Sequence, residues 1–65
     1  MKCNGKTLNW EPNQTLFDLL EDLSYQGEQK FAVAINGVFI AEKQYKSKLL
    51  QKDDVIDIVK PIAGG

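Results

Sequence analysis

The residues best suited to chemistry here are the last ones, Lys60-Pro61-Ile62-Ala63-Gly64-Gly65. With no Cβ, Gly64-Gly65 can thread a narrow channel and let another protein's backbone come close. The carbonyl carbon of Gly65 is likewise open to a nucleophile. A free carboxylate resists such attack, because an oxide would have to leave. Conversion to an acyl-adenylate supplies a good leaving group, which the sulfur of a persulfide can then displace. That route ends in a thiocarboxylate, ionised at neutral pH and bearing a soft nucleophilic sulfur. Gly65 is therefore the candidate reactive residue, and Ile62, Ala63 and Gly64 the segment that threads. Pro61 offers no N–H to a sheet and biases Lys60 toward extended geometry. The residues beyond Lys60 span roughly 16 to 18 Å when extended, enough to enter a partner's active site. Two terminal glycines alone are more often a frayed end. Small size, the order of elements and the Pro-punctuated tail favour the functional reading.

The rest of the chain offers little else for catalysis. It contains no His, so the usual neutral-pH acid/base and nitrogen metal ligand are missing. Cys3 is the one cysteine, so it can form neither an intramolecular disulfide nor a CxxC metal pair. In a strand, with no adjacent base to lower its pKa, it reads as a small buried hydrophobe and not as a sulfur acceptor. Asp53-Asp54 reads as a turn, since two carboxylates without further ligands hold a metal poorly. No catalytic residue and no metal site are expected.

Eight lysines and nine acidic residues give a net charge of -1 across 65 residues. The lysines form no stripe, which argues against nucleic-acid binding. No apolar run approaches the ~20 residues of a membrane span, and no apolar segment follows Met1-Lys2 as in a signal peptide. The expected setting is the cytoplasm, away from membranes. A chain this short has room for one small core and no deep pocket. It suits a module acted upon by enzymes better than an enzyme.

The elements that must position the tail follow from turn signals and periodicity. Asn4-Gly5 suits a type I′ hairpin between two short strands. Thr15-Leu16-Phe17-Asp18 resembles a capping box with Asp in place of Glu. Leu16, Leu19, Leu20 and Leu23 then recur at helical spacing, with Asp18, Glu21 and Asp22 as a solvated face and Gly27 as the expected stop. Phe31 to Ile35 reads as a buried strand, Asn36-Gly37 as a second turn, and Val38-Phe39-Ile40 as its return strand. A polar stretch from Glu42 to Leu50, with a short helical turn, leads to a last strand, Val55 to Val59. Trp10, Tyr25 and Tyr45 read as partial core. The fold class is α+β: a mixed sheet of four to five strands covered on one face by one main helix, with the first and last strands parallel neighbours. That is the β-grasp, the ubiquitin-like architecture. Residues 1–60 form the domain and 61–65 a flexible tail ending in Gly-Gly.

Alternation in the last strand turns Ile56 and Ile58 toward the helix. Val55, Asp57 and Val59 then lie on the other face, with Ala32 and Ala34 beside them. An apolar patch next to the tail is the expected partner surface.

The chain resembles the ThiS-type sulfur carriers of thiamine biosynthesis over nearly its whole length. The resemblance rests on Thr15-Leu16-Phe17-Asp18-Leu19-Leu20, Ala32-Val33-Ala34-Ile35-Asn36-Gly37, Leu50-Gln51-Lys52-Asp53-Asp54-Val55-Ile56-Asp57-Ile58 and Ile62-Ala63-Gly64-Gly65. Two loop positions depart from the family's habit: Asp53 stands where Gly is frequent, and Ala41 where Pro is common. The resemblance implies a ThiF-like adenylating enzyme that consumes ATP with Mg to activate Gly65. It also implies a cysteine desulfurase or other persulfide donor, and a ThiG-like thiazole synthase that takes the sulfur. No cofactor would be bound by the chain itself. A carrier for molybdopterin or other sulfur metabolism, and a ubiquitin-like protein modifier, are the alternatives sharing this tail. A β-grasp interaction module with an incidental Gly-Gly end is a third.

Overall fold

The computed structural model describes residues 1–25 and 30–60. Five strands and one helix follow in the order β1 (Lys2–Cys3), β2 (Lys6–Thr7), α1 (Leu16–Asp22), β3 (Ala32–Ile35), β4 (Val38–Ile40) and β5 (Val55–Val59). A 3-10 turn occupies Glu42–Gln44. The strands form one mixed sheet in the order β2-β1-β5-β3-β4. Strand β5 runs parallel to β1 and antiparallel to β3, which puts the last strand in the middle. This is the β-grasp arrangement expected from the sequence.

Both Asn-Gly pairs make the turns that their chemistry favours. Asn4 and Gly5 have φ of 51° and 84°, and Asn36 and Gly37 have 53° and 83°, the left-handed pair that a two-residue hairpin requires. Each asparagine also reaches across to β5. The Ile58 N–H donates to Asn4 Oδ1 (2.8 Å) and the Val55 N–H to Asn36 Oδ1 (2.9 Å). Asn36 Nδ2 in turn donates to Asp54 Oδ1 (3.0 Å), while Asp54 Oδ2 accepts from the Gln51 N–H (2.7 Å). Asp54 is only 5% exposed; those two donors satisfy its carboxylate and close the turn that launches β5.

The helix begins as its sequence dictates. Thr15 caps it, with reciprocal bonds between Thr15 and Asp18 of 3.1 Å each. The two remaining free donors of the first turn are taken by the loop before β5: the Leu16 N–H donates to the Lys48 carbonyl (2.8 Å) and the Phe17 N–H to that of Tyr45 (3.0 Å). All four first-turn donors are thus satisfied internally, and this helix end is closed to an anion.

The other end departs from expectation. Gly27 lies outside the described residues, and the helix has already stopped at Leu23. Ser24 takes the left-handed conformation (φ 63°). The Ser24 N–H donates to the Glu21 carbonyl and the Tyr25 N–H to that of Leu20, which is a Schellman motif built on serine. Leu23 therefore ends the stripe half-way out, 37% exposed.

The core lies between helix and sheet. Leu16, Leu19 and Leu20 meet Cys3, Val33, Ile35, Tyr45, Leu50, Ile56 and Ile58. Trp10 and Tyr25 pack against its rim, and the Trp10 indole N–H donates to the Leu50 carbonyl (2.8 Å).

Candidate functional site

The sheet face away from the helix is built by period-two alternation. In β5, Ile56 and Ile58 point into the core while Val55, Asp57 and Val59 point out. In β3, Val33 and Ile35 point inward, so Ala32 and Ala34 take the outer face. Register then assembles rows across the sheet, because directly opposed residues share a face. Ala32 is opposite Val59, and Ala34 lies between Asp57 on one side and Phe39 on the other. Lys2 stands beside Val55.

All five residues predicted for this face lie on it, but they are not equal as surface. Val59 is 55% exposed and Val55 45%, whereas Ala34 is only 7% exposed. Its methyl sits low between larger neighbours and forms the floor of the patch. The largest apolar group is one that the sequence reading did not select, Phe39, 71% exposed. The signal was available: a two-residue turn at Asn36-Gly37 fixes Ile35 opposite Val38 and Ala34 opposite Phe39. Once Ala34 faces outward, so must Phe39.

The patch runs to the end of β5. Beyond Val59, an open groove is lined by Lys30, Phe31, Ala32, Val59 and Lys60. Lys60 is the last described residue, and its ammonium rests over the Tyr25 ring, 5.0 Å from the centroid. Tyr25 meets Phe31 edge-on at 5.4 Å, and Phe31 stacks on Tyr45 at 6.3 Å with 16° between planes. Ile62, Ala63, Gly64 and Gly65 lie outside the described residues.

Cys3 is buried and free. Burial foremost, and then the Asp57 carboxylate, push its thiol above the ordinary value, the reverse of what a reactive cysteine requires. Burial and then Glu42 push the Tyr45 phenol up in the same way. Among the described residues no group of three or more His, Cys, Asp or Glu is placed to hold a metal ion, and no helix is long and apolar enough to cross a membrane.

Comparison with known proteins gives a consistent picture. The profile of the ThiS family matches residues 1–65, the whole chain. A crystal structure of the thiamine biosynthesis protein (ThiS) from Geobacter metallireducens superposes with a TM-score of 0.78 at 20% identity, covering 98% of this chain and 96% of that one. That degree of identity speaks for the shared fold. No curated protein sequence matches the chain.

Proposed function

The chain belongs to the ThiS family, and from that premise we propose that it carries sulfur on Gly65 for thiamine biosynthesis. The observation that carries this reading is a family match running through residue 65, and so through the segment Ile62-Ala63-Gly64-Gly65. The domain is the handle and the tail is the reagent.

An oxygen of the Gly65 carboxylate attacks the α-phosphorus of ATP, held with Mg by an adenylating partner, and pyrophosphate leaves. The terminal sulfur of a persulfide, supplied by a desulfurase or another donor, attacks the acyl carbon, and AMP leaves with its electron pair. A second thiol then cleaves the sulfur–sulfur bond of the acyl disulfide. The thiocarboxylate departs with the bond's electrons and the two donor sulfurs join as a disulfide. The released thiocarboxylate is the nucleophile that would deliver sulfur to a thiazole synthase. The protein supplies no general base in this sequence and acts as cosubstrate.

The outer sheet face completes the reading as the docking surface. Val59 and Ala32 offer apolar contact beside Lys60, with Phe39 and Val55 farther along the same face and Ala34 as its floor. Phe39, on the edge strand β4, is the largest of these groups. Asp57 adds a charge that fixes register more than affinity.

The test is tail length. Removing Gly65 withdraws the carboxylate by up to roughly 3.5 Å, and adding one residue carries it past the α-phosphorus. A misplacement of about 1 Å can cost on the order of a hundredfold in rate. Both variants should abolish ATP–pyrophosphate exchange by the adenylating partner while melting at the native temperature. Exchange at the native rate from a shortened or lengthened tail would overturn the assignment of Gly65. Intact mass distinguishes the fates of the tail: a carrier gains the difference between one sulfur and one oxygen, and a modifier forms conjugates.

A further inference from the structure

Lys60 is the last described residue before Pro61-Ile62-Ala63-Gly64-Gly65, and its contacts are more specific than an exposed lysine ordinarily makes. Its backbone follows Val59, fixed opposite Ala32 in the sheet, and precedes Pro61, which narrows the conformations open to Lys60. Its ammonium lies over the Tyr25 ring at 5.0 Å, within the range of a cation–π contact. Tyr25 is itself held: its N–H donates to the Leu20 carbonyl (2.9 Å) as the last bond of the helix cap. Its ring meets Phe31 edge-on, Phe31 stacks on Tyr45, and Tyr45 is 7% exposed within the core. An unbroken line of contacts thus joins the root of the tail to the core through aromatic rings.

We propose that Lys60 and Tyr25 form a tether that aims the tail, and that both are positioning residues for the activation of Gly65. This role rests on the sulfur-carrier reading above. Five residues follow Lys60, roughly 17 Å of extended chain. A swing of about 20° at the root therefore displaces an extended tip by about 6 Å. Holding the root narrows the directions that the tail samples, so a docked carrier places its carboxylate in the partner's site more often. Neither residue touches the reacting atoms. Their effect is bounded by the strength of a solvent-exposed cation–π contact, a factor of about two to five.

The experiment is a double-mutant cycle on ATP–pyrophosphate exchange, using the full chain, the adenylating partner and saturating carrier. Lys60→Met keeps the aliphatic stem and removes the charge; Tyr25→Leu removes the ring. Each should lower kcat about two- to fivefold, leave the dissociation constant for the partner unchanged, and add nothing further in the double variant. Lys60→Arg and Tyr25→Phe, which retain a cation and a ring, should restore kcat. Lys60→Met lies at the surface, so a folding defect in Tyr25→Leu would not obscure the result. In the free chain, the side-chain methylene protons of Lys60 should be shifted upfield by the ring and return to ordinary positions in Tyr25→Leu. Additive losses, a loss confined to the dissociation constant, or Lys60 protons unshifted in the native chain would each overturn the tether. Absence of exchange with the native chain would instead overturn the carrier reading, and the tether's role with it.

Discussion

Asn36 should be the most costly single asparagine to remove, and its contribution can be separated into parts. Its side chain accepts from the Val55 N–H (2.9 Å) and donates to the Asp54 carboxylate (3.0 Å) while its backbone sits at φ 53°. Asn36→Gly keeps the backbone comfortable and deletes both bonds. The neutral bond contributes about 1 kcal/mol and the charge-assisted one about 1.5–3 kcal/mol. Asp54 retains the Gln51 N–H, so the lower end applies and the total is about 2–3 kcal/mol. Asn36→Ala deletes the same bonds and forces a methyl into the left-handed region, which costs about 1–2 kcal/mol. Alanine recovers about 0.5–1 kcal/mol of that by restricting the unfolded chain, so it should fall below glycine by roughly half to one kcal/mol. A domain of this size has only about 3–5 kcal/mol to lose. Urea unfolding followed by Trp10 fluorescence is the assay, since the Trp10 indole packs on the core rim and bonds to Leu50. With a slope of about 1 kcal/mol per M, the midpoint of Asn36→Gly should drop by about 2–3 M. A loss below about 0.5 kcal/mol, the range of an ordinary surface change, would show that the clamp on β5 is idle. Alanine more stable than glycine would refute the backbone half of the reasoning.

Ser24→Gly should stabilise the chain by about 0.5–1 kcal/mol, because glycine adopts the cap's positive φ without strain; a fall in melting temperature would count against the Schellman assignment. Cys3 should label with a thiol reagent only at the rate of unfolding, and Cys3→Ala should cost about 1 kcal/mol while leaving thiocarboxylate formation intact; rapid labelling of the native chain would contradict its burial. The raised Cys3 and Tyr45 groups set a sign for alkaline pH: their stabilisation is complete below the unfolded-state values and is lost as pH rises through the folded ones. Stability should therefore fall on the alkaline side, and Cys3→Ala should flatten part of that fall in pH-dependent urea titrations. Phe39→Ser and Val59→Lys should each raise the dissociation constant for the adenylating partner about tenfold, measured by calorimetry, with stability within about 0.5 kcal/mol of native; unchanged binding would remove the outer face from the interface.

Much of this structure is written in short-range patterns. The helix announces itself through the spacing of Leu16, Leu19 and Leu20 and through Thr15 with Asp18, all of them local. Both hairpins follow from Asn-Gly, where one dipeptide specifies the backbone on its own. The stop signal at the helix end was misplaced, because Ser24 adopts a conformation for which glycine is the usual choice, and Gly27 drew the assignment. The second task of Asn4 and Asn36 was not legible. Their bonds to β5 join residues 54 and 19 positions apart, and a turn motif carries no information about what lies across the sheet. Asp54 likewise reads as an ordinary turn residue until Asn36 arrives beside it. Phe39 was one register argument away. On the candidate site, the proposal for Gly65 rests on the residue types of the tail, whereas the contact between Lys60 and Tyr25 depends on where the helix cap sets a ring.

The central place of β5 also governs the birth of the molecule. Among the described residues, in the sheet order β2-β1-β5-β3-β4, β5 alone joins the two hairpins; without it, β1–β2 and β3–β4 share no strand pairing. Of the five strands it is the last to be synthesised. Each hairpin can pair locally, but a two-stranded ribbon is marginal in water. The cooperative sheet waits for Val55–Val59. The long loop between β1 and β5 adds little to this delay, since closure entropy rises only slowly with length. A chain that stopped before β5 would lack both the finished sheet and the Val55 and Val59 side chains of its outer face.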